Sequence, residues 1–454
     1  MTHLNVLTDF LRISSVSTQP EHLPDMAAAR QFLSTYLSNL GFRVQLLPAA
    51  HHPAVFASKI LDSSYPTILI YGHYDVQPAG APSQWTSPPF EPAIRKGRLY
   101  ARGATDDKGQ LMIHLAAVSQ LLTSSDKPPL LDFKFFIEGE EEIGSPSIPR
   151  QLVDYPDLFA CDFVLLSDTE MVSPDHPSID ICLRGCLDVE LSITTSSHDL
   201  HSGQFGGLAP NPAVILTQLL GNLKNGLGKI TLPGFYDDVH KLPPPILSDF
   251  RRIEPLPSQI LEEGKFFYIS PAPKHLSIND RRWLEPTLDI TGLESGFTGH
   301  GIKTIIPDSA TAKISFRLVP HQNPDHIYSS LLTYFQNHLS KNAVFSIFRY
   351  SDTRPYLAPI DHPVYQLAKS SLKTVYGHNP VFVGQGGSIG FVDEIASILH
   401  VPVVMMGFGL PDENVHAPNE HFSLVNFFKG ISVMTDLCHR LGDKIHPRTR
   451  SSVG

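Results

Sequence analysis

His73 and Asp75 stand one residue apart in Tyr71-Gly72-His73-Tyr74-Asp75-Val76, directly after the apolar run 67–70. Imidazole and carboxylate are the ligands borderline divalent cations take, and two ions held close together need a bridging carboxylate. The same pattern of an apolar run followed by an acid or a His recurs along the chain. It supplies Asp106, Glu142, Asp168 and, in Asn414-Val415-His416-Ala417-Pro418-Asn419-Glu420, His416. Asp75 is spaced to hold the His73 ring from behind. Glu141 and Glu142 are adjacent, so on an extended segment they point to opposite sides. One can bind metal while its neighbour takes a proton from water. Taken singly, three consecutive glutamates make a solvated face and Asp106-Asp107 makes a helix N-cap pair. The repetition of the pattern is what argues for metal chemistry.

Such residues act together only if one sheet gathers them. The short β-branched run before His73 suits a buried parallel strand, and open α/β sheets place ligands at the carboxyl ends of their strands. Strands are predicted over 42–47, 55–60, 67–71, 131–137 and 163–166, with helices over 4–13, 26–40 and 110–122. Near Gly185 the texture changes to alternation over 187–194, the mark of a half-exposed antiparallel strand. Further strands are expected over 302–319 and 342–350, with a helix over 325–339. The Pro-rich stretch 233–273 reads as an extended excursion rather than as core. From about Pro355 the helix–strand pattern returns, with helices over 363–376, 389–399 and 424–441 and strands over 381–383 and 401–406. The fold class is therefore α/β: a mixed, mostly parallel sheet flanked by helices, interrupted by an α+β insert. The expected boundaries are 1–185 and 352–454 for the first domain and 186–351 for the insert.

Composition narrows the function classes. The chain has 454 residues, 42% apolar and 18% charged, and a formal net charge of −10. That is a globular protein with room for two or three cores, and it carries no basic run suited to nucleic acid or an anionic membrane. Cys161, Cys182, Cys186 and Cys438 form no disulfide framework and read as small buried hydrophobes in a reducing compartment. No stretch approaches a membrane span and the N-terminus lacks a secretory pattern, so a cytoplasmic location is expected.

The motifs GHYDVQP at 72–78, RGATDDKG at 102–109, EGEEEIGS at 138–145, LLSD at 165–168, HDLHSG at 198–203, SFRLVP at 315–320, GGS at 386–388 and HAPNE at 416–420 resemble the dinuclear metallopeptidases. That family includes carnosinase-type dipeptidases, glutamate carboxypeptidase, succinyl-diaminopimelate desuccinylase and aminoacylase. The resemblance spans the whole chain in order, and YGHYDVQP and DLHSG point to the carnosinase-like branch. It implies two divalent ions per subunit, Zn²⁺ or Mn²⁺. Asp106 would bridge them, His73 and Asp168 would complete one site, and Glu142 and His416 the other. It makes Glu141 the general base and leaves Glu140 outside the ligand set. It makes the insert a lid and dimerisation domain whose His201 reaches the partner subunit's site to stabilise the oxyanion. Arg317 would bind the terminal carboxylate of a small peptide, with Ser388 and Gly387 adding contacts. Gln385 departs from the dipeptidase branch, which often carries Glu there.

Two rival readings use the same residues. Gly386-Gly387-Ser388-Ile389-Gly390 fits the G-x-S-x-G elbow of a serine hydrolase, which would leave the acidic clusters without purpose. An N-acyl amino-acid deacylase would share all five ligands and the base, differing only in whether the pocket takes a free amine or an acyl group.

Overall fold

The computed structural model describes residues 2–124, 128–340 and 343–445. They form two compact units, one from Met1–Ile181, Ala358–Val383 and Glu394–Gly454, the other from Cys182–Leu357 and Gly384–Asp393.

The first unit is built on a mixed sheet. In spatial order seven of its nine strands are Arg43–Leu47, Ala54–Lys59, Asp132–Glu138, Thr67–His73, Phe163–Leu166, Val403–Met405 and Ser178–Leu183. The parallel character lies at the centre. Thr67–His73 runs parallel to Asp132–Glu138 on one side and to Phe163–Leu166 on the other, which is parallel to Val403–Met405. Antiparallel strands flank this core on both sides. Every residue of Thr67–His73, Asp132–Glu138 and Phe163–Leu166 is buried, because helices cover both faces of a parallel sheet and leave no polar side. The helix Lys108–Thr123 packs on the strand Thr67–His73 and against the helix Leu424–Lys444. Gly72 allows that approach: a Cβ there would lie 2.8 Å from Asp107 Oδ2 and 3.0 Å from a Leu111 methyl.

A separate three-stranded sheet pairs Ala93–Arg95 with Arg98–Tyr100, and Arg98–Tyr100 with His421–Ser423. This small sheet fastens the loop carrying His416 to the loop carrying Asp106.

The second unit holds a four-stranded antiparallel sheet in the order Thr287–Ser295, Ser309–Leu318, Gly185–Thr194, Val344–Thr353. The alternation read from the sequence is real: Leu187, Val189, Leu191 and Ile193 are buried while Asp188 and Glu190 are not. The buried face packs on Leu216, Leu219 and Leu220 of the helix Pro212–Gly221 and on Ile327, Leu331 and Phe335 of the helix Pro324–His338.

Several expectations change. The predicted strand over 302–319 is two strands, Ile305–Ile306 and Ser309–Leu318; Pro307 lies between them and has no N–H for a ladder. The strand expected over 342–350 is Val344–Thr353, and Asn342 lies outside the described residues. The Pro-rich stretch is no mere excursion. It contains the helices Pro244–Arg252 and Pro257–Gly264, each opened by Pro in the first turn, where the missing N–H costs nothing. Phe235, Ile246 and Phe250 are buried, and the stretch helps line a cavity of about 670 Å³ with Tyr236, Phe266 and Tyr268. The second unit also takes Gly384–Asp393, which the sequence reading leaves in the first domain. Arg184 holds the carbonyls of Gly386 and Gly387, and Gly384 packs on Cys182 and Trp283.

Candidate active site

In the first unit, five side chains from separate parts of the chain meet as two triads, His73/Asp106/Asp168 and Asp106/Glu142/His416, with the potential ligand atoms of each within 4.8 Å of one another. His73 Nε2 lies 3.1 Å from Asp106 Oδ1 and 3.7 Å from Asp168 Oδ1. The other oxygen of Asp106, Oδ2, lies 2.7 Å from His416 Nε2, which stands 3.5 Å from Glu142 Oε2. Asp106 thus turns one oxygen to each triad.

His73 ends its strand fully buried. Its Nδ1 lies 3.0 Å from Asp75 O, an oxygen that can only accept, so Nδ1 carries the hydrogen and Nε2 is left as the ligating nitrogen. Asp75, buried behind the ring, brings Oδ1 to 3.4 Å from Nδ1, and its Oδ2 accepts from Glu142 N at 3.1 Å. One carboxylate thereby positions a residue of each triad. Glu141 and Glu142 lie on the 3-10 turn Glu141–Ile143, not on an extended segment. At three residues per turn their side chains still diverge, by about 120° rather than 180°. Gly144 closes the turn with φ +87°. Gln77 Nε2 donates to Glu142 Oε2 at 2.7 Å, and Glu140 is turned away to accept from the backbone of His51 and His52.

The charges ask for cations. Burial lifts Glu141 to about 9, with His73 opposing and Asp168, Asp106 and Glu142 adding to the rise. Burial lifts Glu142 to about 7, helped by Asp106. Burial opposes charge on His73, yet the Asp106 and Asp168 carboxylates beside its ring raise its pKa well above the usual value. Asp106 is likewise desolvated, but His416 and His73 hold it below the ordinary carboxylate range. His73 Nε2 and Glu142 Oε1 are buried and make no hydrogen bond. Buried, unpartnered lone pairs among crowded carboxylates fit divalent cations with imidazole and oxygen ligands.

Glu420 and Arg102, letters of the motifs with no role assigned from sequence, organise the Asp106 loop. Glu420 is fully buried and accepts from Arg102 Nη1 at 2.7 Å, Gly103 N at 3.0 Å, Thr105 N at 2.9 Å and Asp106 N at 3.2 Å. Glu413 accepts from Thr105 Oγ1 at 2.9 Å. The available signal was one acid ending HAPNE and one Arg opening RGATDDKG, and nothing in the sequence pairs two residues 318 positions apart.

The remaining predicted residues lie in the second unit. Arg317 Nη1 donates to Ser388 Oγ at 2.9 Å, and Gly387 O accepts from Arg184 N at 3.2 Å. His201 is exposed on the strand Leu200–His201, paired with Ile305–Ile306. Its Nδ1 accepts from Gly203 N at 3.0 Å, so the neutral ring carries its hydrogen on Nε2, turned outward as a donor.

Ligand triads that share a carboxylate, with the half-buried Glu141 beside them, are the makings of a metal-dependent hydrolase. The model of peptidase family M20/M25/M40 matches residues 69–440, and the chain belongs to that family of divalent-metal-dependent peptidases. It is 31% identical over 429 residues to the human Beta-Ala-His dipeptidase, covering 92% of this chain and 79% of that one. It is 30% identical to the Cys-Gly metallodipeptidase dug1 of Schizosaccharomyces pombe, covering 96% and 94%. The solved structure of an M20 family metallo-carboxypeptidase, Sso-CP2 from Sulfolobus solfataricus, aligns with TM-score 0.84 and 29% identity over 98% of this chain and all of that one. Among the described residues no helix is long and apolar enough to cross a membrane.

Proposed function

We propose that this metallopeptidase hydrolyses the peptide bond of dipeptides, or short peptides, with a free C-terminal carboxylate. The observation that carries the reading is the bidirectional Asp106, one oxygen toward His73 and Asp168 and the other toward His416 and Glu142. The dipeptidases among the relatives support the same substrate class. Two divalent ions held there supply Lewis-acid polarisation of the scissile carbonyl and lower the pKa of the attacking water. Zn²⁺ suits the His-and-carboxylate donor set best, and Mn²⁺ is compatible with it. Glu141 takes the proton from the water and returns it to the leaving amine. Arg317 binds the terminal carboxylate, for which a planar guanidinium is suited. Ser388 serves that end of the substrate. Its hydroxyl oxygen accepts from a permanent cation that cannot act as its base, which disfavours the serine-hydrolase reading.

His201 donates Nε2–H to the oxyanion of a partner subunit's substrate. Along the strand Ser309–Leu318, Arg317 sits near one end, whereas His201 pairs with Ile305 beyond the other. Eight residues of strand at about 3.3 Å each put roughly 26 Å between those ends, and an extended dipeptide spans only about 7 Å. One copy's Arg317 and His201 are thus poorly placed to share a dipeptide, and a homodimer through the second unit, acting as lid, solves the problem. A cytoplasmic location completes the reading, in keeping with cysteines that form no disulfide.

The test compares a small dipeptide with the matching N-acetyl amino acid, before and after chelation and with Zn²⁺ or Mn²⁺ restored. Dipeptide turnover that chelation stops and metal restores is the expected result. Turnover of the acetylated compound alone would reassign the chain to the deacylases, and activity indifferent to chelator would overturn the metal mechanism.

A further inference from the structure

Two guanidiniums of the second unit converge on one glycine-rich loop. Arg317 reaches Ser388 Oγ, while Arg184 donates through Nε to Gly386 O at 2.8 Å and through its backbone N to Gly387 O at 3.2 Å. Arg184 Nη2 lies 3.1 Å from the place a Cβ would take on Gly386, so the absence of a side chain there admits the guanidinium. Both arginine side chains are partly buried. Among the described residues neither makes an ion pair, and the Nη groups of Arg184 make no hydrogen bond. Burial first, and then the charge of Arg317, pull Arg184 down to about 10; Asp289 offsets this only in part. Bracing the loop takes only Nε and the backbone of Arg184, so its remaining donors are spare. Two like charges held on one loop without an ion pair call for an anion to be brought in. Ser388 Oγ accepts from Arg317, which leaves its O–H free to donate to the same anion.

We propose that Arg184 and Arg317 form a double guanidinium clamp for the substrate's C-terminal carboxylate, with the Ser388 hydroxyl between them, which makes Arg184 a specificity-determining residue. The proposal rests on the dipeptidase reading for the identity of the anion, but its physical content is carboxylate recognition.

The experiment therefore separates the two. Calorimetry on the metal-loaded protein measures binding of L-leucine and of L-leucinamide, which differ only in the carboxylate, to the wild type, Arg184→Met and Arg184→Lys. Losing a charge-assisted hydrogen-bond pair predicts leucine binding weaker by about tenfold to hundredfold in Arg184→Met. Leucinamide binding should be unchanged, and Arg184→Lys should recover part of the loss. With a dipeptide and its C-terminal amide as substrates, the same variant should raise KM for the acid far more than it lowers kcat, and should shrink the preference for the acid. Equal losses for leucine and leucinamide would reduce Arg184 to a loop brace, and unchanged leucine binding would remove it from the site. Carboxylate discrimination lost in Arg184→Met, in a protein that cleaves no dipeptide, would uphold the clamp and refute the dipeptidase reading. Dipeptide cleavage with discrimination intact in Arg184→Met would do the reverse.

Discussion

Replacing Glu420 by Ala tests whether the Asp106 loop is held by one buried carboxylate. The substitution removes four accepted hydrogen bonds, two on each oxygen. It also leaves Arg102, 1% exposed, without the only carboxylate it has among the described residues, because the other partner of that guanidinium is Pro78 O at 3.2 Å. Breaking a buried ion pair by deleting one partner costs about 3–5 kcal/mol. The loss falls on the first unit, and Trp85, whose ring lies 5.6 Å from the Arg102 guanidinium, reports on it. The protein has two tryptophans, so a Trp283→Phe background makes Trp85 the sole emitter. Urea unfolding should then show a midpoint lower by about 1 M or more, taking a slope near 3 kcal/mol/M. Because Asp106 N loses its acceptor, Zn²⁺ affinity should fall by about 10- to 100-fold, as for other residues that orient a ligand. Glu420→Gln keeps one acceptor oxygen and turns an NH₂ toward the donors of the other, so it should fall between Ala and wild type. An unchanged midpoint and unchanged Zn²⁺ affinity in Glu420→Ala would refute the reasoning.

Glu141→Gln should retain both metal ions by elemental analysis yet lose turnover, since an amide cannot accept the proton; retained activity would dismiss Glu141 as base. His201→Ala should lower kcat by about 10²–10³, the usual cost of an oxyanion donor. Mixing it with Glu141→Gln after dissociation should restore activity, because a heterodimer contains one subunit with Glu141 intact facing a partner with His201 intact. Failure to complement would place His201 in its own subunit's site or outside any site.

The strand ends and most of the candidate chemistry were legible because their signals are local. The run 67–70 followed by His73, and 163–166 followed by Asp168, already imply a buried strand delivering a polar residue at its carboxyl end. The alternation that marks Gly185–Thr194 as half-buried is equally local. The Pro-rich stretch was misread because its helix Pro244–Arg252 is held by burying Ile246 and Phe250, the latter against the distant Trp283, and periodicity over a few proline-broken turns does not record that.

Residue types and their order along the chain determined that this protein could present imidazole and carboxylate at several strand ends, with an antiparallel insert between two α/β segments. Tertiary structure alone decided which oxygen of Asp106 faces which histidine, because that geometry depends on Glu420 bonding a loop 318 positions away and on Arg98–Tyr100 pairing with His421–Ser423. It likewise decided that Arg184 joins Arg317 at the Gly386 loop, a convergence of three distant segments. Such contacts follow from how separate elements pack, which no window of neighbouring residues encodes.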